Sequence, residues 1–310
     1  MMLTDEEFRL FRNLIYEESG IYLKDTRKDF LENRLVKRMT ATGMISPYWY
    51  YKFVTEKKKA ELVILLDLLT INETSFFRNR PQLDLFRKTI LTELIRQKES
   101  AGQKRLRIWS AGCSTGEEPY SIAMDICEAM KYNPPIPPFN PSASPIGKGG
   151  IRGVGGFDWD IRIFASDLSL TALEIANKGE YAADKIHVTV DDHYITRYFE
   201  KAPAEGNNGG HQHHYCVKDI IRKMIIFDFH NLKNDNGLND LDVIFCRNVM
   251  IYFDEGEQKR LIEKFFRSLN PGGFLLLGHA ESLQGWSTGF QFVYDNKGTA
   301  YKKGEKEALC

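Results

Sequence analysis

From about residue 105 the chain repeats one pattern, a short apolar run that reads as a strand followed by a longer run that reads as a helix. RLRIW, IRIFAS, LDVIFC and FLLLG are the strand-like runs, and PYSIAMDICEAM, LTALEIANKG and EGEQKRLIEKFFRSL the helix-like ones. This alternation predicts a doubly wound α/β sheet of largely parallel strands. The first 90 residues read differently, as helix throughout. Thr4 and Glu7 form a capping-box pattern ahead of Phe8, Phe11, Leu14 and Ile15, and Ser19-Gly20 ends that run. KDTRKDFLENRLVKRM sets Phe30, Leu35 and Met39 on one stripe, and Ser46-Pro47 opens a further helix ahead of ELVILLDLL. The expected division is therefore a helical domain over 1–90 and a sheet domain over 91–310. A chain of 310 residues, 43% hydrophobic, is long enough for both cores.

Two segments break the alternation. Residues 133–158, rich in Pro, Gly and Ser, read as a flexible surface insert. Residues from about 181 to 231 read as an inserted β-subdomain, with HHYCVKDIIRKMIIFDF expected to form two antiparallel strands.

Charge and cysteine usage exclude several classes. Lys+Arg and Asp+Glu both number 42, which argues against a nucleic-acid or membrane-surface partner. MMLTDEEFRLFR carries acids where a signal peptide needs bases, and LVILLDLLTI is too short and charged to span a bilayer, so the expected location is cytoplasmic, without membrane insertion. The five cysteines have no CxxC spacing and read as reduced thiols. His211, His213, His214 and Cys216 sit in a Gly/Asn-rich stretch that reads as a solvated loop, and no metal site is expected.

Ligands of open α/β sheets bind beyond the carboxyl ends of the strands. AGCSTGEEPYS follows the first strand-like run there and leads into a helix. Its glycines, Gly112 and Gly116, do not make GxGxxG and also suit a plain tight turn. Asp167 ends the next strand, where an acid binds ribose hydroxyls or caps the following helix. Arg247-Asn248 ends a third. Glu117 and Glu118 at a helix start would repel a pyrophosphate, which favours a phosphate-free cofactor over a dinucleotide.

INETSFFR (71–78), IWSAGCSTGEEPYSIAM (108–124), FASDLSLTALEIANKGEY (164–181), FDFHNL (227–232) and IFCRNVMIYFD (244–254), with GHAES after LNPGGFLLL, occur in that order. As a set they closely resemble the chemotaxis protein-glutamate O-methyltransferases, the CheR family of class I S-adenosylmethionine-dependent enzymes. The resemblance spans nearly the whole chain. It implies an N-terminal helical domain, a Rossmann-like methyltransferase domain with an inserted antiparallel β-subdomain, and S-adenosylmethionine as cofactor. It places Asn72, Thr74 and Arg78 by the methionine portion or the reacting centre, Glu118 at the amino end and Asp167 at the ribose. Asn231, Leu232, Arg247 and Asn248 complete the pocket, and Tyr252 lies near the methyl group, so that Arg78 and Tyr252 carry the catalytic expectation. The implied substrates are glutamate carboxylates on the cytoplasmic helices of methyl-accepting chemotaxis receptors. The basic segment 24–38 and the β-subdomain are the expected contacts, and the protein the expected monomer. A receptor carboxylate is ionised near neutral pH and needs no general base, consistent with the lack of a Ser-His-Asp or Cys-His pattern. The alternatives are a non-catalytic, cofactor-binding regulator or scaffold of a signalling assembly, and methyl transfer to a small molecule.

Overall fold

The computed structural model describes residues 3–57, 59–130, 159–202 and 214–304. The insert expected at 133–158, and His211 and His213, lie outside the described residues.

The chain starts with four helices, α1 (Asp5–Ser19), α2 (Lys28–Thr42), α3 (Pro47–Lys52) and α4 (Lys59–Leu69). The Thr4 hydroxyl accepts from Glu7 N–H while the Glu7 carboxylate accepts from Thr4 N–H, so the capping box forms as read. Gly20 ends α1 at φ 77°, a left-handed cap that a side chain resists. Phe11, Ile15, Leu31, Leu35, Tyr50 and Leu65 build the core of this bundle. On α2 the buried stripe is Leu31, Leu35 and Met39, so Leu31 takes the place expected of Phe30, which is only partly buried. A buried fork joins two helices: Arg38 donates twice to Glu61, at 2.8 Å each, and Glu61 also accepts from the Tyr50 hydroxyl at 2.8 Å.

The next helices, α5 (Arg80–Leu85) and α6 (Leu91–Ser100), turn their apolar faces elsewhere. Leu83, Phe86, Ile90, Leu91 and Leu94 belong to the core under the sheet, and the two cores change over between Leu69 and Phe76. Residues 83–94 thus pack with the sheet rather than with the bundle.

The sheet domain runs β1 (Arg105–Ala111), α7 (Glu117–Ala129), β2 (Asp160–Asp167), α8 (Leu170–Lys178), β3 (Glu180–Ala182), α9 (Ala183–Thr189), α10 (Asp192–Tyr198), β4 (Phe199–Lys201) and β5 (His214–Val217). It continues with α11 (Asp219–Arg222), β6 (Ile225–Phe229), β7 (Leu241–Cys246), α12 (Glu255–Ser268), β8 (Leu269–Leu277), β9 (Phe290–Asp295) and β10 (Gly298–Lys303). The main sheet has the order β6-β2-β1-β7-β8-β10-β9. Pairing is parallel from β6 to β8, and β10 runs antiparallel to both β8 and β9. Strand order reverses between β1 and β7, the point where such sheets open a crevice beyond their carboxyl ends.

A small antiparallel sheet, β3-β5-β4, forms the insert. One expectation is corrected here. HYCV joins the small sheet as β5, but IIFDF is β6 and pairs parallel to β2 from Ile225 to Phe229, so the two are not an antiparallel pair. The insert lies within a crossover from β2 to β6 and ends before Ile225.

Candidate active site at the strand ends

A cavity opens beyond the carboxyl ends of β1, β2 and β7. Gly112 leaves β1 at φ 83°, and a Cβ there would collide with the Val249 side chain, so this turn closes only around glycine. The two acids that start α7 part company. Glu117 is buried away from the cavity against Lys185 and the Thr115 hydroxyl (2.7 Å). Glu118 faces in, accepting from the Ser110 hydroxyl at 2.7 Å and from Arg247 at 3.2 Å. Burial pushes the Glu118 carboxyl up from its ordinary range, and Arg247 is the strongest influence against that. Burial likewise pushes the Arg247 guanidinium down, with Glu118 opposing. Arg247 also donates to the Arg78 carbonyl oxygen, while its Nε is buried without a partner in the protein.

Asp167 ends β2 with both oxygens engaged, accepting from Ser114 N–H at 2.7 Å and Ser169 N–H at 2.9 Å. Burial raises its pKa and these backbone donors oppose the rise. A carboxylate has about four acceptor sites, so these contacts leave room for a further donor. The Asn72 amide donates to the Ser169 hydroxyl at 3.1 Å, which itself caps α8 through Ala172 N–H. Thr74 and Arg78 follow on the same wall, and Arg78 donates to the Glu73 carbonyl at 2.8 Å.

The rest of the lining comes from the loops after β6 and β7 and from the helical bundle. Asn231 and Leu232 belong to it, but the Asn231 amide donates to the Glu18 carbonyl at 2.6 Å and its oxygen accepts from Lys233 N–H at 3.0 Å. Lys233 reaches the Tyr16 carbonyl at 3.2 Å and that of Glu17. Asn248 sits at φ 60° with its N–H on Glu281 at 2.9 Å, and Glu281 also accepts from Gly278 N–H at 2.6 Å and Ile251 N–H at 3.3 Å. Tyr252 ends a 3-10 turn, and its carbonyl accepts from Tyr22 N–H at 2.8 Å.

All ten residues expected at the site therefore line one cavity, together with Ser19 and Ile21 of the bundle. Two further residues, not expected from the sequence, contribute. His230 also faces the cavity, its Nε2 buried without a partner and its ring 6.0 Å from that of Trp109. Burial pushes its pKa down, which favours the neutral ring. Glu281 sat inside GHAES, and nothing in that motif said that it would staple the Asn248 turn.

Polar groups of the lining suit a ligand with a cationic amine and hydroxyls: carboxylates from Glu118 and Asp167, and the buried, unpartnered Ser114 hydroxyl and His230 Nε2. That chemistry fits S-adenosylmethionine. Outside the cavity, the basic segment 24–38 is thinner than its sequence implies. Arg38 is bound to Glu61, Lys28 pairs with Asp5 at 2.5 Å, and Arg34 donates to the Leu68 carbonyl at 3.0 Å and stacks over Phe30, leaving Lys24, Arg27 and Lys37 exposed. Among the described residues no helix is long and apolar enough to cross a membrane.

Comparison with known proteins matches residues 6–70 to the CheR methyltransferase all-alpha domain, and residues 72–137 and 153–299 to the CheR methyltransferase SAM binding domain. Chemotaxis protein methyltransferase 2 of Vibrio cholerae is 32% identical over 310 residues, covering 99% of this chain and 96% of that one. The chemotaxis protein methyltransferase of Salmonella typhimurium is 33% identical over 285 residues, covering 91% and 85%. The chain belongs to the CheR family of S-adenosylmethionine-dependent methyltransferases of chemotaxis.

Proposed function

We propose that the protein esterifies glutamate side chains on the cytoplasmic helices of chemotaxis receptors, acting as a cytoplasmic monomer. One observation carries this reading: ten motif residues from five separate stretches of chain line a single cavity at the point where strand order reverses. When bound, S-adenosylmethionine supplies a methyl group on a sulfonium, an electrophile that a carboxylate attacks without a base. Glu118 holds the amino end and Asp167 the ribose hydroxyls, through acceptor sites its backbone contacts leave free. Asn72 and Thr74 flank the methionine portion. Arg247 and Asn248 close the strand-end side, and Arg247 neutralises Glu118 while holding the Arg78 backbone. Asn231 and Leu232 close the other side, with the Asn231 amide serving to dock α1. Arg78 and Tyr252 stand at the reacting centre, where a planar guanidinium orients a carboxylate in line with the methyl.

The receptor would dock on the exposed Lys24, Arg27 and Lys37 and on the small sheet, and we place the domain boundary near residue 71, where the two cores change over. The test is incubation with labelled S-adenosylmethionine and receptor cytoplasmic fragments, followed by mapping of base-labile methyl esters. Label on glutamates supports the reading. Cofactor binding without label transfer to any receptor fragment would favour a regulator or scaffold instead.

A further inference from the structure

Arg78 sits between two left-handed residues. Phe77 has φ 51° and Asn79 φ 58°. Asparagine visits this region readily, but a bulky aromatic there is an outlier that persists only when its surroundings over-determine it. The surroundings of Phe77 come from the inserted subdomain. Its ring lies 4.5 Å from that of Tyr194 on α10, and the Tyr194 hydroxyl is fixed from behind, donating to Asp125 of α7 at 2.7 Å and accepting from Arg87 at 3.1 Å. Phe76 is wedged between Tyr181 of β3 (4.8 Å) and Phe199 of β4 (5.4 Å). Arg80 grips the loop before α10 with a two-pronged pair to Asp191, at 2.6 and 2.9 Å, and a third bond to the Thr189 carbonyl at 3.0 Å. On the other side Phe77 N–H donates to the Ser121 hydroxyl at 2.9 Å.

We infer that the inserted subdomain is a positioning device for Arg78: Tyr194 and the Arg80–Asp191 pair hold the segment 76–80 in its kinked form and so fix the direction of the Arg78 side chain. Neither Arg80 nor Asp191 lines the cavity, and both are about half exposed, so their removal leaves the pocket wall and the core intact. The subdomain thus has two faces of use, one outward and one on the reaction. This inference rests on the assignment of Arg78 to the reacting centre.

The test measures methylation of a saturating receptor fragment and calorimetric affinity for S-adenosylhomocysteine in the full chain. Asp191→Ala and Arg80→Ala should each lower kcat about 10-fold, below the ~100-fold scale of a 1 Å misplacement, with affinity for the product within about twofold because few cofactor contacts move. The charge-exchanged double variant Arg80→Asp/Asp191→Arg should recover part of the loss. In an Arg78→Ala background, Asp191→Ala should have no further effect on kcat, since residues that act through one another are non-additive. Wild-type kcat in Asp191→Ala, or a change confined to the receptor KM, would overturn the positioning role. Wild-type turnover in Arg78→Ala itself would instead overturn the assignment of Arg78, so the two failures are told apart.

Discussion

Strand ends build their side of the cavity from charges set below the surface, with Glu118 against Arg247 and Asp167 against two backbone N–H groups. The helical bundle closes the other side with main chain. The last carbonyls of α1, from Tyr16, Glu17 and Glu18, are taken up by Lys233 and Asn231, and Tyr22 N–H pairs with the Tyr252 carbonyl. α1 has no basic residue in its own last turn, so the cation that its carboxyl end favours is borrowed from the sheet domain. The first side is held by buried charges, and breaking it strands one of them. The second is held by part-exposed hydrogen bonds, each worth about 1 kcal/mol. A site that must hold a cofactor and also release it gains from that inequality.

The sharpest way to break this contrast is Arg247→Ala. Leaving Glu118 buried and unpaired should cost about 3–5 kcal/mol of stability in urea unfolding; a loss near the ~1 kcal/mol of a surface pair would erase the difference between the two sides. Arg78→Ala comes next, with turnover expected to fall about 100-fold and product affinity little changed. Arg78→Lys should recover little, because an ammonium cannot reproduce the planar fork. Asp167→Asn keeps the shape but removes the charge, and should weaken S-adenosylhomocysteine binding by about 2 kcal/mol in calorimetry; unchanged affinity in a folded variant would remove Asp167 from the ribose.

On the helical side the effects should be smaller. Lys233→Met should cost about 0.3–1 kcal/mol, the worth of a cation at a helix carboxyl end, and show mainly as faster product release in stopped flow. A release rate equal to wild type would mean that this side does not open. Last comes an expected absence of effect. Burial raises the Tyr252 hydroxyl above its ordinary pKa near 10, so it stays protonated through pH 9, and the attacking glutamate is ionised above about pH 6. Turnover should be flat from about pH 6 to 9, and a rise through neutral pH would reveal a base.

Much of this was legible in the sequence, for identifiable reasons. Strand-helix alternation announced the parallel sheet because each element carries its own periodicity, and the motifs met at one cavity because strand ends in such a sheet converge. Pairing direction has no such local signature. Ile225–Phe229 reads as an apolar strand in either sheet, and the crossover that makes it parallel to β2 passes through the whole insert and a helix of only four residues, Asp219–Arg222. Helical amphipathy says that a face is buried but not against what, which is why α5 reads as part of the bundle. The same limit hid the fates of Arg34, Arg38 and Asn231. A polar side chain's partner lies far along the chain, and Asn231 finds its own at Glu18.

The seam between bundle and sheet joins the two ends of the sequence. Ile21 bridges to Phe253, and the Tyr16 hydroxyl donates to Asp254 at 2.7 Å. The bundle's core is local, its residues all lying between Leu3 and Leu69, so it can form as soon as it leaves the ribosome. Part of its docking surface comes from Leu168 and Thr171, but it is not complete until residues 231–254 have been made. Closure of the cavity is therefore a late event in biogenesis, and a nascent chain halted before Cys246 carries a bundle whose site still lacks its last wall.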